Sequence, residues 1–184
     1  MDKRIEAKNL VRKKLTDALI RLLDEEPLSG ITITRLITEA GVARVSLYRN
    51  YSSLEDILKL LMDELISRFA AGAPGPNPNF ADSLYMEYAF TFYKKYKKTF
   101  LILKESGLSD MIRASIDHFT FLSSKEIPRE EQNDLLFASG AFYSYAIRWL
   151  EQDTPTSPEE EAEVFIKRIT NGCTYIAASA GKAP

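Results

Sequence analysis

ITITRLITEAGVARVSLYRNYSSLEDIL, residues 31 to 58, decides how the chain folds. Thr32 can cap a helix whose apolar residues Ile33, Leu36, Ile37 and Ala40 share one face. Gly41 then supplies the permissive backbone that ends it. A second helix follows within a few residues. In it Val42, Leu47 and Tyr51 point inward, and Arg44, Val45, Tyr48 and Arg49 are left facing away from the core. An arginine, an aliphatic side chain and a tyrosine make a poor solubilising face but a good DNA-reading one. Arginine can donate two hydrogen bonds to a guanine edge, valine can touch a thymine methyl, and tyrosine can hold a phosphate oxygen.

Composition permits this reading. A chain of 184 residues can bury a real core, and 45% apolar with 27% charged residues is ordinary for a globular protein. No apolar run approaches a membrane span, and Met1-Asp2-Lys3-Arg4 opens a charged helix rather than a signal peptide, so a cytoplasmic location with no membrane partner is expected. A single cysteine, Cys173, and a single histidine, His118, argue against a disulfide, a zinc site or any other cofactor. No Gly-rich phosphate loop or nucleophile elbow is present to suggest an enzyme. The formal net charge is −2, but its distribution is uneven. Residues 1 to 52 carry ten Lys and Arg against seven Asp and Glu, whereas residues 53 to 184 carry 14 against 19. The basic part is the one with the two short helices, as a footprint on phosphate requires.

Thr32, Leu36, Glu39-Ala40-Gly41-Val42, Ser46-Leu47-Tyr48, Tyr51, Ser53, Glu55 and Ile57-Leu58 together resemble the helix-turn-helix of the TetR family of bacterial transcriptional regulators. The resemblance places Arg44, Val45, Ser46, Tyr48, Arg49 and Asn50 where family members contact DNA, with Thr32 and Thr34 near the start of the supporting helix. Two positions depart from the pattern. Val45 stands for the usual glycine or proline, and Leu54 for a lysine that commonly touches phosphate. A generic three-helix packing unit is the bland alternative.

Upstream, residues 3 to 25 form an amphipathic helix with Val11, Leu15, Ala18, Leu19 and Leu22 facing inward. Lys3, Arg4, Lys8, Arg12, Lys13 and Lys14 in its first half suit flanking phosphates, or simply a solvated face. Downstream, Ser52 and Ser53 with Glu55 or Asp56 propose a capping box for a helix running to about Ala70, which the resemblance makes the connection between DNA-reading head and body. Pro and Gly residues from 72 to 79 make a loop. Helices are then expected over 80–96, 99–105, 108–122 and 130–150, and from the start signal Ser157-Pro158-Glu159-Glu160 onward. The fold class is therefore all-α, about nine helices, divided into a head over 1–69 and a ligand-binding and dimerisation bundle over 70–184.

The resemblance implies further roles. The last two helices look like the family's dimerisation pair, with Leu135, Phe142, Trp149, Phe165, Ile169, Gly172 and Ile176 as the interface of a homodimer. Tyr88, Phe92, Phe119, Tyr143 and Trp149 would suit a small apolar or aromatic effector, although aromatics at helical spacing are also ordinary core. The expected function is a ligand-responsive repressor that reads a palindromic double-stranded DNA operator as a homodimer. A TetR-like subunit without specific DNA binding, or a co-activator, is the rival reading.

Overall fold

A computed structural model describes residues 3–49, 51–75, 77–123 and 128–171. Among the described residues the chain is all helical, without a strand. Those residues form nine α-helices in order: α1 (Lys3–Leu23), α2 (Ile33–Ala40), α3 (Arg44–Tyr48), α4 (Leu54–Gly72), α5 (Ser83–Lys95), α6 (Lys97–Glu105), α7 (Ser109–Ser123), α8 (Arg129–Glu151) and α9 (Pro158–Asn171). A 3₁₀ turn, Leu28–Gly30, separates α1 from α2. None of the described helices is long and apolar enough to cross a membrane. Asn50, Gly172, Cys173 and Ile176 lie outside the described residues.

The chain divides into two compact units. The first comprises Met1–Leu65 with Leu101–Ile112, and the second Ile66–Phe100 with Arg113–Pro184. Residues 101 to 112, the end of α6 and the first turn of α7, thus belong with the first unit although their sequence neighbours belong with the second.

In the first unit α1 packs on α2, and Leu15, Ala18, Leu19, Leu36, Leu47, Ile57 and Leu58 are fully buried. These are the apolar positions of the helical stripes, so burial follows periodicity. Ion pairs fix α2 to the end of α1. Arg35 bonds Glu25 at 2.6 Å and also Glu26, while Arg21 bonds Glu39 at 2.7 Å. Each is exposed and contributes little alone, but three between the same two segments restrict how α2 can turn.

In the second unit α5 lies against α8 and α9. Phe90 of α5 is completely buried, with Phe142, Trp149 and Phe165 edge-on to it at 5.1, 5.3 and 6.3 Å between ring centres. Edge-to-face contacts of this kind add about 0.5–1.5 kcal/mol each beyond the apolar area they cover. Side-chain caps form at the starts of α4 and α9, one in each unit. The Ser157 hydroxyl accepts from the Glu160 amide at 3.2 Å and Glu160 accepts from the Ser157 amide at 2.8 Å. At α4 the Ser53 hydroxyl accepts from the Asp56 amide, and Asp56, not Glu55, returns to accept from the Ser52 amide. Glu55 sits one residue too early to reach back over the first turn.

Candidate nucleic-acid interface

The turn between α2 and α3 is built from two local devices. Thr32 is extended and its hydroxyl accepts from the Arg35 amide at 3.2 Å, which satisfies one of the free donors at the start of α2. At the other end Gly41 adopts φ 60°, ψ 43°, a left-handed conformation that glycine reaches without a Cβ penalty. Its amide and that of Val42 turn back onto Thr38 and Ile37. The chain is thereby redirected within three residues, and α3 starts at Arg44.

α3 is only about one turn long, and Leu47, completely buried, anchors it. Tyr51 just after it is buried as well, and its hydroxyl engages the Arg12 side chain of α1. Burial raises the Tyr51 pKa above the usual phenol value, and the Arg12 cation works against that rise. Arg12 therefore serves the packing of the head, whereas Arg4, Lys8, Lys13 and Lys14 are exposed along α1. On the other face of α3, Val45 is 61% and Tyr48 55% exposed, and Arg44 and Arg49 are exposed too. Ser46 is half-buried. Thr32 and Thr34 of the supporting segment are exposed, and Thr34 is in reach of Arg44: its hydroxyl accepts from Arg44 Nη2 at 3.4 Å. The Arg44 guanidinium also lies 5.9 Å from the centre of the Tyr48 ring. The structure thus brings Thr34, Arg44 and Tyr48 together, with Val45 open to solvent on the same short helix. An isolated aliphatic or aromatic side chain in water is unremarkable, but two on one turn beside cations form a surface that a base edge and a phosphate can occupy.

Solved structures of transcriptional regulators superpose on the chain. A TetR transcriptional regulator from Streptococcus agalactiae 2603V superposes with a TM-score of 0.63 at 20% identity, covering 91% of this chain and 99% of that one. A TetR-family transcriptional regulator from Streptomyces coelicolor matches with a TM-score of 0.54 at 20% identity, over 94% of this chain and 85% of its own. The chain has the TetR-family fold. The dihydroxyacetone kinase operon activator DhaS shares it as well, with a TM-score of 0.58 at 8% identity over 88% of this chain and 94% of that one. No family model and no curated protein matches the sequence.

Within this TetR-family fold the aromatic residues expected to line an effector site take part in different ring contacts. Tyr88, Phe92 and Phe119 converge instead on the ring of Phe69, at 5.1, 5.3 and 6.1 Å between centres. The Tyr88 hydroxyl donates to the Phe69 carbonyl at 2.9 Å, so it serves the last turn of α4. Trp149 belongs to the Phe90 cluster, and Tyr143 is buried near Tyr93. A groove of about 630 Å³ in the second unit has other walls, among them Phe80, Glu131, Leu135, Phe137 and Ile169.

The residues expected at a dimer interface also divide. Phe142, Trp149 and Phe165 are at most 4% exposed and fill the core of their own unit, because α5 supplies a third helix against which both α8 and α9 close. Leu135 and Ile169 remain half-exposed. Among the described residues of the unit, the most exposed aromatic is one that the stripe of Leu135, Ser139 and Phe142 leaves out: Phe137, 73% exposed on α8. Its offset of two residues from Leu135 takes it off that stripe, although both side chains line the same groove. A polar network escaped sequence reasoning altogether. Glu161 of α9, almost fully buried, accepts from the Tyr145 hydroxyl at 2.6 Å and from Thr156, whose oxygen in turn accepts from the Trp149 indole at 3.1 Å. Burial and the neighbouring Glu161 push the Tyr145 pKa up to about 12.

Proposed function

We propose that the protein is a sequence-specific DNA-binding transcriptional regulator, a ligand-responsive repressor that reads a palindromic operator as a homodimer. One observation carries the reading: the exposed Arg44, Val45 and Tyr48 on a one-turn helix that a capped α2 and a left-handed Gly41 hold away from the core. The shared TetR-family fold supports it, and the basic balance of residues 1 to 52 supplies the attraction to phosphate. Arg44 offers a bidentate donor to a guanine, Val45 an apolar contact to a thymine methyl, and Tyr48 and Arg49 contacts to phosphate.

A single turn of helix reaches few base pairs, so a partner copy is part of the proposal. Two heads reading half-sites must be spaced by about 34 Å, one turn of B-DNA, or a multiple of it. Half-exposed Leu135 and Ile169, with exposed Phe137 and Val164 on α8 and α9, are the apolar surface that a second copy would cover. An effector acts in this scheme by preferring a dimer whose heads are wrongly spaced, which depletes the DNA-competent population. The rings around Phe69, with the phenols of Tyr85 and Tyr88, are the supporting feature for a small apolar or aromatic molecule. The name of DhaS describes an activator, so activation is the second reading of the same DNA-bound state.

Fluorescence anisotropy with duplexes from the gene's own upstream region tests the reading. Binding that weakens steeply with added salt and is lost to an unrelated duplex is the expected result. Equal, weak binding to every duplex contradicts it.

A further inference from the structure

The Arg44 guanidinium is the strongest sequence-reading group on the candidate face, yet a solvent-exposed arginine ordinarily samples many rotamers. Holding it for a bidentate contact costs side-chain entropy. Two contacts in the free protein reduce that freedom. The hydroxyl of Thr34 accepts from Nη2 at 3.4 Å, and the Tyr48 ring, one turn further along α3, lies 5.9 Å from the guanidinium carbon. The first comes from the supporting helix and the second from the reading helix, so together they bias the side chain towards one arrangement.

Thr34 is itself well fixed. It stands on the second residue of α2, its carbonyl accepts from the Thr38 hydroxyl at 2.9 Å, and the next residue, Arg35, is tied to Glu25 and Glu26. A β-branched side chain on a helix has few χ1 choices, two for threonine, and in one of them the Thr34 oxygen meets Arg44.

We propose that Thr34 is a positioning residue for base reading: its hydroxyl oxygen presets the plane of the Arg44 guanidinium, and Thr34 sharpens sequence discrimination without itself reading DNA. The role rests on the DNA-binding function proposed above. It assigns to Thr34 an effect on selectivity at a single base pair, whereas a phosphate contact affects all sequences alike. Tyr48 acts from the other side as a ring against which the guanidinium rests, the geometry in which arginine is better suited than lysine.

The full chain, with duplexes enriched from a random pool, provides the test. Arg44→Ala first locates the base pair at which discrimination disappears. Thr34→Val keeps the branched shape and removes the acceptor. It should lower discrimination at that one base pair by about tenfold, within the range such a contact commands, and leave other positions, the salt slope and the thermal midpoint unchanged. Thr34→Ser should restore it. A uniform loss at all sequences with a shallower salt slope would show that Thr34 holds a phosphate and overturn the role, as would a Thr34→Val protein that discriminates like the parent. Side-chain NMR relaxation of Arg44 Nε–H in the free protein separates this role from the function beneath it. Faster motion in Thr34→Val supports the preset guanidinium even if the parent enriches no sequence, a result that would defeat the DNA reading alone. Unchanged motion rejects the preset guanidinium whether or not DNA is bound.

Discussion

The two units place the same kinds of side chain in opposite circumstances. In the first, Val45 and Tyr48 stand at helical spacing on α3 and stay more than half exposed; in the second, Phe90, Trp149 and Phe165, one on each of α5, α8 and α9, are covered almost completely. The difference lies in what surrounds the helix. α3 is a single turn pinned by Leu47, with its remaining face unopposed, whereas α5, α8 and α9 are long enough to enclose their aromatic rings among one another. Periodicity gives the face of a helix, but only the tertiary partners decide which faces are left for function. The exposed apolar residue beside a cation is therefore the informative one.

Truncation should expose the contrast most sharply. Phe90→Ala should cost about 3–5 kcal/mol in urea denaturation, because its neighbours cannot close the space. Val45→Ala and Tyr48→Ala should each stay within about 0.5 kcal/mol of the parent, and comparable losses at all three would abolish the distinction. Next in size, Thr156→Val removes the acceptor of the Trp149 indole and the donor to Glu161, leaving buried polar groups without partners. A loss of about 1–3 kcal/mol is expected by the same measurement, and a neutral result would mean that water replaces the hydroxyl. In the head, Thr32→Ala should cost about 1 kcal/mol for the lost cap of α2. If it does not, the Arg35 ion pairs alone hold that helix.

Alkaline pH provides the smallest and most selective probe. The Tyr145 phenol has an ordinary value of 10.0 and is held at about 12 in the folded chain, so the native state keeps its proton more tightly than the unfolded state does. Its contribution to stability is complete below pH 10 and disappears as the pH rises towards about 12. Urea midpoints followed across that interval should fall, and fall less in Tyr145→Phe. Identical profiles would remove Tyr145 from the account. In the head the Tyr51 phenol is raised too, with the Arg12 cation opposing the rise.

The head was legible because its structure depends on near neighbours. Thr32 to Arg35, Gly41 to Thr38 and Ser53 to Asp56 are contacts across three residues, written directly in the order of the chain. Arg44 and Thr34 are ten residues apart, and their meeting needed the angle of the turn. In the second unit the important partners are distant in sequence. Tyr88 was legible as an aromatic but not as the donor to Phe69, and Glu161 gave no sign in its acidic first turn that it alone points inward to Tyr145 and Thr156. The same limit explains Phe142, Trp149 and Phe165. Their stripes were correct, and the helix that covers them, α5, was not deducible from stripes.

The claim that the open face of α3 reads a duplex is tested most directly by selecting bound fragments from a random DNA pool with the full chain. Enrichment of one sequence with two inverted half-sites, centred about one helical turn or a multiple apart, is the predicted result. A pool that remains random through repeated rounds would contradict it.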